Sequence, residues 1–246
     1  MHPELLRIGP VTMYSYGLMV AVGILAASLV VQYLATRRSL PAGPLIDVVF
    51  WVVIAGLVGA RGTYVMLHLD EFRSSAMAVF KLQQGGLVFQ GGLALGILAA
   101  AVFLRRYKLA LWPSLDILSV GVPLAHALGR IGCFLNGCCY GRPYTGLLAV
   151  RFPGHLRYVH PTMLYESAAL VGLFVILFRT EQRSRFSGQV TAWYLVGYGS
   201  IRFCIEFLRG DPRLMIGPLS LFQLVSIVMI LSGIFIYRKR RANNHA

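Results

Sequence analysis

Four arginines stand where a lipid bilayer makes them costly. Arg61, Arg130, Arg202 and Arg209 lie in, or at one end of, long apolar runs, and a central arginine costs about 2.5–3.5 kcal/mol on insertion scales. Snorkelling to headgroups accounts for one isolated arginine near a helix end. It accounts poorly for four of them accompanied by acids and tyrosines. Tyr198, Arg202 and Glu206 recur at four-residue spacing with Arg209 three residues further on, which makes one polar stripe on one helix face. Arg61 and Tyr64, then His126 and Arg130, repeat the arrangement at spacings of three and four. Glu206 can pair with Arg202 or with Arg209, reducing the cost of burial while leaving guanidinium donors free; a structural ion pair is the other reading of it. Convergent guanidinium forks beside phenols suit a lipid phosphate, whose oxygens they bind in a bidentate way.

The densest motif runs from Gly129 to Arg142. Gly129, Gly132, Gly137 and Gly141 are expected to break the helix and to let backbone donors approach a ligand. Asn136 adds an amide, and Arg130 and Arg142 bracket the segment with charge, so it reads as a cradle for a phosphate or headgroup. It is unlike a P-loop, since no Gly-Lys-Ser/Thr follows. Cys133, Cys138 and Cys139 fall within seven residues of one another, and Cys204 lies in a later apolar run. Cys-x4-Cys-Cys with His126 nearby is a weak match to metal-site spacing. An outer-side disulfide and simple packing of small thiols are the other readings. No metal or cofactor is expected.

These residues are set in a chain of 246, of which 57% are hydrophobic and 13% charged, against about 45–50% and about 25% in an ordinary soluble domain. That composition excludes a disordered tail, a secreted disulfide scaffold and a typical cytosolic enzyme. The formal charge of +14 does not indicate nucleic acid, because no basic stripe interleaved with aromatics lies along a soluble helix. The cations fall between apolar runs. A helix needs about 20 apolar residues to cross the hydrocarbon core, and seven runs fit: Tyr14–Ala35, Leu45–Leu67, Leu87–Leu104, Leu115–Leu128, Thr162–Phe178, Gln189–Leu208 and Pro218–Tyr237. The fourth and fifth are short. The expected fold is an all-α polytopic membrane protein, one membrane-embedded domain over residues 1–246.

Charge sets the expected orientation. Arg37, Arg38, Arg105, Arg106, Lys108, Arg179, Arg183, Arg185 and the Arg238–Arg241 cluster share one side in a seven-span arrangement. Arg7, Arg73, Lys81, Arg142, Arg151, Arg157 and Arg213, mixed with acids, share the other. The positive-inside bias puts the C-terminus in the cytoplasm and the N-terminus outside. The N-terminal segment lacks a charged n-region and an A-x-A site, so it is not read as a removable signal peptide. The outer side then receives the two longest loops, Asp70–Gly86 and Arg142–Pro161, the second with a possible short strand at Leu147–Phe152.

Over nearly its whole length the chain resembles the prolipoprotein diacylglyceryl transferase family. The stretch Gly129–Gly141 is similar to that family's signature Gly-Arg-x-Gly-x-Phe-x-Asn…Gly. Further matches follow in the family's order: Tyr16–Met19, Gly59–Gly62, Gly85–Leu93, His160–Glu166, Gly197–Arg202, Glu206–Arg209 and Ser220–Gln223. The resemblance implies a bacterial inner-membrane enzyme of lipoprotein biosynthesis. Such an enzyme moves the diacylglyceryl group of phosphatidylglycerol to the lipobox cysteine thiol at a prolipoprotein's signal peptide, forming a thioether and releasing glycerol phosphate. It implies no nucleic-acid partner. By the motif match the catalytic residues are Arg130, Arg202, His160 and Tyr16, with Arg130 and Arg202 on the phosphate. Tyr198, Asn136, Arg61, Gly141, Glu206, Arg209 and Gln90 complete the substrate site. Tyr16, Tyr198 and Asn136 orient headgroup or glycerol, Glu206 and His160 support the architecture, and Gly141 permits close backbone approach.

The chain departs from the pattern in two places. Many members have His where Gln90 stands, a proposed base, and an amide accepts no proton at useful pH. Cys133 and Cys138 replace an Asn and a Glu seen in many members. His160, an imidazole able to accept a proton near neutral pH, is the candidate substitute base, and a purely structural role is the other reading of it. The alternatives are a catalytically divergent paralogue or a lipid-binding or anionic-lipid transport protein built on the same cavity, though no inverted repeat is evident. A thiol oxidoreductase would want a Cys-x-x-Cys pair that is lacking.

Overall fold

In a computed structural model the chain is a predominantly helical polytopic membrane protein. The structure describes residues 4–8, 11–72, 76–80, 85–153, 156–211 and 214–244; Arg73, Lys81 and Arg213, counted above toward one side of the membrane, lie outside them. The order of elements is β1 (Glu4–Ile8), β2 (Val11–Tyr14), α1 (Ser15–Arg37), α2 (Ala42–Leu67), α3 (Leu69–Phe72), a 3-10 turn (Ala76–Phe80), α4 (Phe89–Arg106), α5 (Leu111–Asn136), α6 (Thr162–Gln182), α7 (Gln189–Glu206), β3 (Met215–Ile216), β4 (Leu219–Ser220) and α8 (Leu221–Ala242). Six of these helices, α1, α2, α4, α5, α6 and α8, have the length and hydropathy to cross a membrane. Leu25, Leu29, Val58, Ile97, Val228, Leu231 and Phe235 are exposed on them, as lipid-facing side chains should be. The remaining run, the sixth in order, is a helix of 18 residues, α7, and it is the one with the polar stripe.

The fourth run was expected to be short and to end before the glycine motif. It is instead a helix of 26 residues, about 39 Å at 1.5 Å per residue. It continues through Gly129 and Gly132 to Asn136. Those two glycines do not break it. Gly132 is the site of a close approach: an added Cβ would lie 3.0 Å from Met19 Cβ and 3.2 Å from Tyr16 Cα, both on α1. Small residues at such crossings are what membrane helices use to pack closely. The fifth run likewise extends to Gln182, past the Phe178 expected.

The chain divides into two compact units, residues 1–31 with 115–246, and residues 32–114. In the smaller unit α2 packs on α4, with Trp51 stacked on Phe103 at 5.0 Å between ring centroids. In the larger unit a buried acid ties α5 to α7. Asp116 accepts the Gly188 N–H (2.6 Å), the Thr191 N–H (2.8 Å) and the Thr191 hydroxyl (2.7 Å). These are orphan donors at the start of α7, where an anion also meets the positive end of the helix dipole. Asp116→Ala strands them in the interior. The expected result is a loss of about 2–3 kcal/mol, read as a lower unfolding temperature in detergent, with Asp116→Asn losing less.

Two antiparallel hairpins, β1–β2 and β3–β4, were not foreseen. The strand expected at Leu147–Phe152 is absent among the described residues. Val150 alone forms an isolated bridge to Val159, which also pairs with Pro143. Leu147 and Leu148 are exposed, whereas Phe152 is buried beside Val159 and Met163. The segment is thus held by its aromatic anchor and one bridge.

Candidate active site

Glu166 of α6 has no solvent exposure, and three basic side chains converge on it. Arg130 Nε, from α5, lies 3.0 Å from Glu166 Oε2. Arg202 Nη1, from α7, lies 3.8 Å from the same oxygen. His126 Nε2 lies 3.7 Å from Oε1. Arg202 Nη2 donates to Glu206 Oε2 at 2.8 Å, and Glu206 Oε1 accepts from the Ser220 hydroxyl at 2.9 Å. Ser220 also caps α8, accepting from the Gln223 N–H while its own N–H donates to Gln223 Oε1. Four helices are thereby pinned around two arginines and two glutamates.

The charges balance, but the hydrogen bonds are incomplete. Arg202 Nη1 is buried without a hydrogen-bond partner among the described residues. The contact with Glu166 uses only the Nε edge of Arg130, leaving its two terminal nitrogens outside that pair. Arg202 also stands over the Phe222 ring at 4.8 Å, which holds the guanidinium plane in place. Tyr198 stacks on Tyr194 and reaches within 5.5 Å of the His126 ring. The result is a preorganised pair of cations from separate helices with donors to spare, suited to an anion entering a low-dielectric site.

The sequence-predicted residues divide into groups. Arg130, Arg202, Tyr198 and Glu206 are brought together, Glu206 pairing with Arg202 and not with Arg209. Arg209 takes Asp211 instead, by a two-pronged contact of 2.9 and 3.1 Å. An open cavity of about 380 Å³ adjoins the cluster through Glu206; Arg142, Arg209, Asp211 and Gln223 line it, while Arg130 and Arg202 do not. Tyr16 opens α1, 43% exposed, opposite Gly132. Asn136 is the exposed last residue of α5.

Gly141 does permit close backbone approach. Its N–H donates to the His160 carbonyl at 2.8 Å, and the neighbouring Arg142 N–H donates to the Leu208 carbonyl at 2.9 Å. An added Cβ would lie 2.5 Å from the Leu208 oxygen and 2.7 Å from His160 Cβ. This crossing fastens the loop after α5 to the entry of α6 and the exit of α7. His160 sits at that crossing, stacked on Tyr144 with ring centroids 3.9 Å apart and with Nδ1 3.5 Å from the Tyr165 hydroxyl.

Arg61 and Gln90 belong to the smaller unit. Arg61 is buried, and its guanidinium donates to the carbonyls of Ala78, Val79, Gly85 and Gly86 at 2.7–3.0 Å. Four of its five N–H bonds are therefore used on these four carbonyls. Gln90 is exposed in the first turn of α4.

Two features escaped the sequence reading. Glu166, the hub, had a signal: it is an acid inside an apolar run, four residues after Thr162, and it closes the His160–Glu166 motif. The other is the meeting of three thiols. The sulfurs of Cys133, Cys138 and Cys139 all lie within 4.8 Å of one another, and none is in a disulfide. Helix α5 ends in a Schellman motif, with Gly137 at φ 73°, the Cys138 N–H bonded to the Cys133 carbonyl and the Gly137 N–H to the Phe134 carbonyl. That motif folds the residue five positions on back over the helix end, and so brings Cys138 to Cys133. Cys139, at φ 65°, turns the third thiol inward. The Cys138 thiol donates to the Cys133 carbonyl at 3.6 Å.

The family model described as prolipoprotein diacylglyceryl transferase matches residues 3–238. Similar curated proteins, each named phosphatidylglycerol–prolipoprotein diacylglyceryl transferase, include one from Geobacillus kaustophilus, 34% identical over 252 residues, covering 98% of this chain and 93% of the relative. One from Synechocystis is 33% identical over 246 residues, covering 94% and 86%. One from Finegoldia magna is 32% identical over 225 residues, covering 91% and 90%.

Proposed function

The chain belongs to the prolipoprotein diacylglyceryl transferase family, and on that footing we propose that it transfers the diacylglyceryl group of phosphatidylglycerol to the lipobox cysteine of a prolipoprotein. The cysteine thiolate attacks the glycerol carbon that bears the phosphate. A C–S bond forms, the C–O bond to phosphate breaks, and glycerol phosphate departs with the electron pair. The observation that supports this most is the convergence of Arg130 and Arg202 on Glu166, with Arg202 Nη1 left unsatisfied. Charge develops on the departing phosphate, and preorganised guanidinium donors are the groups that stabilise it. Tyr198 and Asn136 flank the phosphate with hydroxyl and amide groups, and Tyr16 does so from α1. Arg209 and its cavity take the glycerol headgroup or the peptide approach, with Gly141 and His160 shaping the wall. Arg61 acts through the segment it holds.

The enzyme sits in the bacterial inner membrane with α7 as a seventh span, its N-terminus outside and its C-terminal Arg238–Arg241 cluster in the cytoplasm. Both compact units serve this one membrane-embedded activity. The direct test incubates the purified protein with phosphatidylglycerol and a lipobox peptide and weighs the peptide by mass spectrometry. Addition of one diacylglyceryl group with release of glycerol phosphate is expected; binding of intact phosphatidylglycerol without product would overturn the reading. Gln90→His, run alongside, is expected to leave transfer within about threefold of the parent, because proton removal is arranged elsewhere in this chain.

A further inference from the structure

Gln90 cannot take a proton, so the attacking thiol must lose its own by another device. From the thiol cluster we infer that Cys133, Cys138 and Cys139 form a zinc site whose open fourth position binds the incoming substrate thiol and delivers it as thiolate. The inference deepens the transferase reading and rests on it for the identity of the thiol.

The geometry is that of a site needing little closure. Zinc bound at about 2.3 Å from each sulfur sets the sulfurs about 3.8–4.0 Å apart, and here all lie within 4.8 Å. They are held by the Schellman turn and by two consecutive contributions from a chain segment packed on Phe152, Val159 and Met163. Cys133 is buried, whereas Cys138 and Cys139 retain access to the outside. Among the described residues no His, Asp or Glu completes the group. Structural zinc sites are closed by four protein ligands, while catalytic ones hold a position open. Three thiolates on zinc leave a net negative charge, and the neighbours answer it. Arg130 lies three residues before Cys133 on α5, and Arg209 pairs through its backbone with Gly141, two residues beyond Cys139. Such outer contacts are the ones that tune bound metals.

The step balances without an oxidant. The substrate thiol displaces a water from zinc and its proton leaves to solvent, since a coordinating thiol is deprotonated outright. The thiolate then attacks the glycerol carbon beside Arg130, one helical turn before Cys133. The C–O bond to phosphate breaks as the C–S bond forms. The product thioether is neutral and a weaker ligand, so it departs.

The test uses the full chain in detergent, reduced with a phosphine and loaded with zinc or with Co(II). One zinc per chain is expected, and the Co(II) form should show thiolate charge-transfer absorption with tetrahedral d–d bands. Each of Cys133→Ser, Cys138→Ser and Cys139→Ser should weaken zinc binding at least about tenfold, while Cys204→Ser should not change it. A lipobox peptide should shift the d–d bands, and its Cys→Ser version should not. Zinc content near zero, a Cys138–Cys139 disulfide in its place, or d–d bands indifferent to the cysteine peptide would each overturn the inference. The two readings fail separately. Transfer undiminished in zinc-free protein removes the metal step and leaves the transferase standing, whereas bound zinc with responsive bands but no thioether product removes the transferase and leaves a thiol-binding zinc site.

Discussion

Replacing Arg130 or Arg202 by alanine is expected to cut diacylglyceryl transfer by about 100- to 1,000-fold, the loss typical of one preorganised donor at a developing anion and equivalent to about 2.7–4 kcal/mol. Alanine also strands Glu166, whose carboxylate is fully buried and faces both guanidiniums. Part of any loss would therefore reflect folding. Arg130→Lys and Arg202→Lys separate the two effects, because an ammonium keeps the charge opposite Glu166 but loses the planar fork. The lysine variants are expected to unfold within a few degrees of the parent and still lose at least about tenfold in kcat. Lysine variants with full kcat would mean that the two side chains serve only as counter-ions.

The second large effect belongs to Glu166. Removing a partner from a buried ion pair costs about 3–5 kcal/mol, and here one carboxylate answers Arg130, Arg202 and His126 together. Glu166→Ala is expected to lower the unfolding temperature by on the order of 10 °C and to abolish transfer. Glu166→Gln keeps the shape and removes the charge, so it should lose less stability than alanine. Combining it with Arg130→Gln should recover part of what either change costs, a coupling expected for residues in direct contact. Strict additivity of the two, measured by thermal unfolding in one detergent, would contradict the hub.

Much of this was readable in the residues, and the failures have physical reasons. Apolar runs of spanning length marked every long helix, because a bilayer enforces length and hydropathy together. The stripe Tyr198–Arg202–Glu206 was legible through its four-residue period, and in the structure Arg202 shares Glu166 with Arg130. The end of α5 was not. Glycine is both a helix breaker and a membrane-helix contact residue, and only the presence of Met19 and Tyr16 opposite Gly132 decides between them. Arg61 looked like Arg130 in sequence, yet its donors go to the carbonyls of Ala78, Val79, Gly85 and Gly86, a commitment that no spacing encodes. Glu166 lay in a quoted motif without being singled out, since its partners come from three other helical positions. The thiol cluster depended on Gly137 taking a left-handed turn; with the Schellman geometry in view, Cys-x4-Cys is the spacing that joins the last turn of a helix to the residue beyond its glycine.

The central claim is that Arg130 and Arg202 together hold the lipid phosphate above Glu166. It is tested most directly by determining the structure of the full chain with phosphatidylglycerol bound. The phosphate oxygens are expected within about 2.7–2.9 Å of guanidinium nitrogens from both residues, the distance of charge-assisted hydrogen bonds. A phosphate seated on Arg209 or Arg61 alone, with Arg130 and Arg202 unaltered around Glu166, would contradict the account.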